Sequence, residues 1–341
     1  MTDDHDLIID QYGAFLGKHQ GRLQVSRKGE TLTEVALLNL ERVLISGHGV
    51  SLSSDAIAAC CQEGIPIHFV SSRGEPYASL YAAGLTGTVL SRREQIAAYL
   101  DRRGLELGRA LAWAKIANQA AFLRYLAKYR KTAAPEHYAL LRQAAETVLG
   151  HQQELTRLEG TCIDDVREQM LSVEGRAAHY YWTALEAVIP TDYCWPGRVG
   201  RDAEDVVNAC LNYGYGILYG QVERALVLAG LDPFAGFVHT DRPGKPSLVY
   251  DLIEPYRVPA VDRVVVSMAN QHVPLVLDER RRLDEKTRRT LAEKVLARLE
   301  KPETYEGKKV PLRIIMQNQA RHMATFLRGE RTEYEGFTVK W

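Results

Sequence analysis

The sequence predicts an α+β chain, with a small N-terminal β-rich domain followed by a larger all-α domain. Two observations predict it. As far as Tyr81, apolar residues come in short runs divided by glycine-bearing turns, which is the pattern of strands. From Ser91 onward they recur at helical spacing instead. At 341 residues the chain is also long enough for two cores rather than one.

The first expected strands are Leu7–Asp10, Ala14–Lys18, Arg22–Ser26 and Thr31–Leu37. Tyr12-Gly13, Gln20-Gly21 and Lys28-Gly29-Glu30 lie between them as hairpin-like breaks, because glycine reaches the positive φ of tight turns. Arg42–Ser46 and Ile65–Val70 add two apolar strands. Between these, Ser53-Ser54-Asp55 offers an N-cap to a helix that runs to Gln62, where Gly64 ends it. Arg73-Gly74-Glu75-Pro76 turns the chain before a strand at Tyr77–Tyr81. The boundary is expected near residues 82–90, dividing 1–85 from 86–341.

Helical periodicity then runs from Arg92 to Lys131 and continues in Glu136–Leu149 and Asp164–Val188. Glu204–Ala229 is apolar on most sides and is expected at the centre of the helical domain. It carries Asn212-Tyr213-Gly214-Tyr215-Gly216. Glycine inside a helix costs about 1 kcal/mol relative to alanine, so these two are read as places where a neighbouring backbone comes close. Leu283–Leu299 and Val310–Leu327 are the last expected helices, with Pro311 suited to a first turn.

With 43 basic and 43 acidic residues the formal net charge is zero, which removes any global pull toward nucleic acid. Local charge is uneven. Ser91–Lys131 holds ten Lys/Arg against three Asp/Glu, and Val276–Arg331 fifteen against nine. Thr132–Pro190 reverses this, with nine acidic residues against four basic. Basic helices thus flank an acidic segment, an arrangement open to two readings: solvated faces, or surfaces that track phosphate around a held cation. The five cysteines have no CxxC spacing and support neither a disulfide framework nor a zinc module. No uncharged run approaches the ~20 residues that span a bilayer. The acidic start MTDDHD lacks a basic signal region, so a reduced, cytoplasmic setting without membrane attachment is expected.

Among ten histidines, His239 has distinctive surroundings. His5 and His19 sit near turns, His48 between glycines and His179 among aromatics. His239 closes the short apolar run Phe237-Val238 and opens a polar, turn-rich loop ahead of Ser247–Arg257. Asp251 and Glu254, three apart, share a face of any helix there. Pro255 requires that helix either to begin near Asp251 or to bend, since an internal proline clashes with the carbonyl four residues back. One imidazole with several carboxylates is a sound ligand set for a cation at phosphate, although such a pattern also serves structure. Oxygen ligands suit Mg²⁺ and Mn²⁺, and an imidazole favours Mn²⁺. Glu174, followed by Gly175 and Ala177-Ala178, reads as a carboxylate held where another backbone passes. Spacing does not join it to His239.

Taken together these segments resemble the CRISPR-associated endonuclease/integrase family, the larger subunit of the spacer-acquisition complex. The resemblance rests on Glu174-Gly175-Arg176-Ala177-Ala178 through Tyr181-Trp182, and on Asp205–Ala209 leading into Leu211–Tyr215. It continues through Gly236-Phe237-Val238-His239, Ser247–Arg257, and the closing helix with Ile314-Ile315, Gln319-Ala320 and Leu327. It implies that Glu174, His239 and Glu254 are catalytic and bind Mn²⁺ or Mg²⁺, with Asp251 as a supporting carboxylate. It implies a β-rich domain for dimerisation and partner contacts, homodimers bridged by a small companion subunit, and double-stranded DNA as captured fragment and as CRISPR repeat. The implied reaction is transesterification by a DNA 3′ hydroxyl, consistent with the lack of a G-x-x-x-x-G-K-[ST] loop. Arg198, Arg201, Arg242 and Lys245 would be phosphate contacts, while Asp205 and Asn208 position helices. A non-catalytic DNA-binding scaffold and a branched-DNA repair nuclease are the competing readings.

Overall fold

Where the sequence places glycine at a turn, the backbone uses it. Gln20-Gly21 and Lys28-Gly29 hold consecutive positive φ angles of 46° and 76°, and 51° and 86°. That is the left-handed pair of a two-residue hairpin whose twist matches its strands. These turns join β2 (Ala14–His19), β3 (Arg22–Arg27) and β4 (Glu30–Ala36) into an antiparallel meander, and β6 (Ser51–Leu52) pairs in parallel with β2. The structure is a computed structural model and describes residues 6–40, 42–46, 48–71, 74–81, 89–200 and 203–341. Most of the expected 82–90 boundary therefore lies outside the described residues.

Tyr12-Gly13 closes no hairpin. The strand before it, β1 (Asp6–Ile9), pairs in parallel with β5 (Arg42–Ser46), so this break carries the chain from one sheet to the other. The second sheet runs β1-β5-β7-β8, with β7 (Ile67–Val70) parallel to β5 and β8 (Pro76–Leu80) antiparallel to β7. Helix α1 (Ser54–Gln62) is capped as expected, Ser53 Oγ accepting the Ala56 N–H. Every residue of β5 is buried, as a strand covered on both faces should be. Val43 and Ile45 belong to the apolar core of the β region, whereas Leu44 belongs to that of the helices.

The helical remainder is built from α2 (Val89–Ala98), α3 (Arg102–Lys128), α4 (Pro135–Thr156), α5 (Arg167–Glu186) and α6 (Val206–Leu228). After these come α7 (Ser247–Arg257), α8 (Arg263–Asn270), α9 (Glu285–Glu300) and α10 (Leu312–Leu327). The stretch Arg92–Lys131 is two helices rather than one. Asp101 starts the second by accepting the Arg103 N–H at 2.8 Å, a cap that outweighs the continuous periodicity around it. A hairpin of β9 (Pro302–Tyr305) and β10 (Lys308–Pro311) interrupts the helices, so Val310 and Pro311 end a strand instead of opening α10. Helix α6 is buried on most sides, as its composition predicts. Among the described residues no helix is long and apolar enough to cross a membrane.

Helix α7 begins before Asp251 and contains Pro255. Beyond it the chain widens into one π-helical turn, Val258–Asp262, before α8. The physical cause is a pair of prolines four apart. The helical partner of the Pro255 carbonyl would be the N–H of residue 259, which is proline and has none. Asn118 of α3 fills the gap, its Nδ2 donating to Pro255 O at 2.6 Å. The same amide bonds Phe337 O and the Val339 N–H, tying the C-terminal segment to the helix that carries the site.

Candidate active site

The site is assembled by three helices and one loop. On α5 the buried face reads Met170, Val173, Glu174, Ala177, Tyr181, a helical stripe in which a carboxylate occupies a core position. Glu174 is 6% exposed and Glu254 of α7 is 7% exposed. Ionised carboxylates at that depth need partners. Lys115, on the face of α3 turned toward them, supplies one: its Nζ lies 2.8 Å from Glu254 Oε2 and 3.4 Å from Glu174 Oε2. Arg257, one helical turn past Glu254, places Nε 2.9 Å from the other Glu254 oxygen.

The two glutamates consequently titrate apart. Burial raises both, but at Glu254 the Arg257 and Lys115 charges outweigh burial and hold the carboxyl far below the usual range. Glu174 stays above its ordinary value, because burial and the neighbouring Glu254 exceed what Lys115 returns. Lys115 keeps its proton firmly: burial works against the ammonium, and the two glutamates more than compensate.

Asp251 does not share that ammonium. It is fully buried, and its oxygens accept four hydrogen bonds that build the loop before α7. Oδ2 takes the Phe237 and Val238 N–H groups at 2.6 and 3.1 Å, and Oδ1 takes the His239 N–H at 2.9 Å. Oδ1 also lies 2.7 Å from His239 Nδ1. A carboxylate bonded to Nδ1 fixes ring orientation and leaves Nε2 as the nitrogen with a lone pair, the arrangement that supports metal-ligating histidines. Burial lowers the His239 pKa, but the Asp251 bond and charge, with Glu254 and Glu174 nearby, raise it on balance.

Glu174, His239 and Glu254 are electrostatic neighbours, with Asp251 behind His239. Among the described residues no three His, Cys, Asp or Glu side chains stand close enough to hold a metal as arranged. The cation between the glutamates here is the Lys115 ammonium. Two buried carboxylates and an imidazole oriented by a third still form a donor set suited to a hard divalent ion. Gly175 is not a site of close approach, since a Cβ there would meet nothing within 4 Å. Burial of Glu174 comes from its place in the apolar stripe.

Beside the site, a cleft of about 580 Å³ is bounded by Tyr250, Ile253 and Arg257 of α7 and by Arg198, Arg280, Arg281 and Arg282. Arg198 bonds the side-chain oxygens of Asn208 and Asn212 at 3.2 and 2.8 Å and lies over the rings of Trp182 and Tyr215. Asp205 caps α6 through the Asn208 N–H, so both serve positioning, as expected. Arg242 and Lys245 pair across an exposed turn and do not line the cleft. Arg201 lies outside the described residues. Sequence reasoning missed Lys115, Arg257 and Arg280–Arg282. For Arg257 the signal was its spacing of three from Glu254, and for Lys115 a lone lysine in an apolar helical stripe.

Residues 7–296 match the family described as CRISPR associated protein Cas1. "CRISPR-associated endonuclease Cas1 1" of Archaeoglobus fulgidus is 40% identical to this chain, covering 98% of it and 99% of the relative. Among solved structures, a "Casposase bound to integration product" superimposes with a TM-score of 0.81 at 21% identity, covering 99% of this chain and 95% of that one. A "Cas6-RT-Cas1--Cas2 complex" superimposes with a TM-score of 0.79 at 17% identity, covering all of this chain and 37% of that one. With the family pattern spanning most of its length and a 40% identical relative aligned end to end, this chain belongs to the CRISPR-associated Cas1 family.

Proposed function

We propose that this chain is a divalent-metal-dependent DNA endonuclease and integrase that inserts short foreign DNA fragments into a CRISPR array. The observation that carries the reading is the meeting of two buried glutamates around one ammonium, beside an imidazole oriented by Asp251. Glu174, His239 and Glu254 would hold Mn²⁺ or Mg²⁺, which when bound polarises the scissile phosphate and activates the attacking oxygen. Lys115, which pairs with both glutamates, would have to yield to a bound metal at these carboxylates. The imidazole favours Mn²⁺ among oxygen ligands.

In the joining step the 3′ hydroxyl of the fragment attacks a phosphodiester at the repeat boundary. One P–O bond forms as another breaks, and the hydroxyl proton passes to the departing 3′ oxygen. The number of phosphodiesters is unchanged, so no nucleotide triphosphate is consumed. Lys115 and Arg257 offset the repulsion between the buried carboxylates and an incoming phosphate. Residues 1–85 would serve dimerisation and partner contacts and residues 86–341 catalysis. Homodimers bridged by a companion subunit fit relatives solved with Cas2, and double-stranded DNA would be both fragment and target. The free cysteines suit a reduced cytoplasmic setting.

The test is an integration assay with Mn²⁺, short DNA bearing free 3′ hydroxyls and a repeat-containing plasmid. Joined product should appear with the wild type and vanish in Glu174→Ala and His239→Ala. Joining by these variants at the wild-type rate would refute the assignment. Binding of the repeat without joining would make the chain a scaffold.

A further inference from the structure

The Asn212-Tyr213-Gly214-Tyr215-Gly216 stretch of α6 holds a tyrosine that the metal site does not account for. A Cβ at Gly216 would overlap the Gly74 carbonyl, the close backbone read from the sequence, whereas one at Gly214 would press on the Val261 side chain of the π-helical turn. That turn ends at Asp262, which is 1% exposed. Asp262 Oδ1 accepts the Tyr215 hydroxyl at 2.5 Å, and Oδ2 accepts the Tyr181 hydroxyl at 2.7 Å. Both tyrosines are buried.

Burying a carboxylate on neutral hydroxyls costs more than burying an apolar side chain, so the arrangement calls for a use. Two features supply one. Tyr181 follows Glu174 in the same buried stripe of α5, and Asp262 follows the helix that carries Glu254. One carboxylate thereby links the helices of both glutamates through α6. The second feature is Arg257, whose Nε bonds Glu254. Its guanidinium carbon lies 4.5 Å from the centroid of the Tyr215 ring, and that of Arg198 lies 5.5 Å from it. An aromatic face attracts a cation, and a phenol that donates to a carboxylate is polarised to do so more strongly. Asp262 also acts on Arg257 through its charge. The guanidinium is thus held by Glu254 directly and by Asp262 through the phenol between them.

We propose that Tyr215 and Asp262 are positioning residues for DNA joining. Asp262 fixes the phenol, and the ring is the platform that aims Arg257 at Glu254 and the cleft. The proposal rests on the reading of the chain as a DNA-joining enzyme and adds to it the two residues that hold Arg257 in place. Both act through that arginine.

The experiment is a double-mutant cycle in the full chain. Tyr215→Leu removes the platform and should lower the Mn²⁺-dependent joining rate roughly 10–100-fold. In an Arg257→Met background the same substitution should lower it less than about threefold further, because its effect passes through the arginine. Tyr215→Phe, which keeps the ring, should recover most of the loss. A second cycle reads the contact without metal or DNA, by urea denaturation in chelator. There the cost of Tyr215→Leu in the folding equilibrium constant should shrink about threefold or more once Arg257 is replaced by methionine. If Tyr215→Leu does not fold, Asp262→Asn, which keeps the shape and still bonds both phenols, takes its place in both cycles. Losses that multiply in either cycle, or a Tyr215→Phe as impaired as Tyr215→Leu, overturn this proposal alone when the wild type joins DNA. A wild type that joins no DNA overturns the functional reading and the role in joining with it.

Discussion

Replacing Asp251 with asparagine keeps its shape and removes half of what it does. The carboxylate accepts from Phe237, Val238 and His239 N–H and from the His239 ring, two bonds to each oxygen. An amide retains one oxygen. In one flip its NH₂ faces the Phe237 and Val238 donors, and in the other the two His239 donors. A buried donor left unpaired costs about 1–3 kcal/mol, so two predict a loss of about 2–6 kcal/mol of stability. The histidine offers a partial escape by moving its proton to Nε2, so that Nδ1 accepts from the amide. That escape removes the Nε2 lone pair, and loss of such a supporting bond lowers metal affinity about 10–100-fold. Urea denaturation followed by circular dichroism reads the first quantity, and Mn²⁺ titration calorimetry the second. If Asp251→Asn stays within about 0.5 kcal/mol of wild type with unchanged Mn²⁺ affinity, Asp251 neither builds the loop nor orients His239.

Lys115→Met leaves Glu174 and Glu254 crowded without their shared ammonium. In chelator it should lose about 3–5 kcal/mol, and Mn²⁺ should recover more melting temperature in the variant than in wild type. Equal gains would mean that lysine and metal do not compete. His68, in β7, is held neutral by burial and by the Arg42 and Arg224 charges, its pKa lowered to about 3. The unfolded chain binds this proton near pH 6.5, so the stability contribution is complete above that pH and is lost as pH falls toward 3. Integration gives about 5 kcal/mol over the window. The stability–pH slope of His68→Asn should be flatter than that of wild type between these limits, and parallel curves would refute the account. Gly214→Ala places a Cβ 2.6 Å from Val261 Cγ1 in the π-helical turn and should cost about 1–3 kcal/mol. Adding Val261→Ala should return part of that loss, measured by the same denaturation.

Much of the fold is legible because it is local. Alternating apolar residues, left-handed glycines at residues 21 and 29, and the Ser53 cap act within a few residues, and each element follows from them. The misreadings fall where a distant partner decides. Tyr12-Gly13 has the composition of a hairpin, but β1 finds β5 across the intervening meander. Arg92–Lys131 has unbroken helical periodicity, yet the Asp101 cap and the close approach of Gly104 to the Ala98 carbonyl divide it. Pro255 sits within a longer helix than proline chemistry alone suggests, because Asn118 takes the bond that Pro259 cannot make.

The site divides in the same way. His239, Asp251 and Glu254 lie on one stretch of chain, so their residue types and spacing were enough to mark a candidate cation site. The chain's own pattern of motifs was enough to mark its family. Only tertiary structure brings Lys115 between Glu174 and Glu254, seats Asp251 behind the imidazole, and gathers arginines from separate loops along one cleft. Spacing carries information over a helical turn, whereas the charge balance of a buried site depends on helices that packing alone brings together.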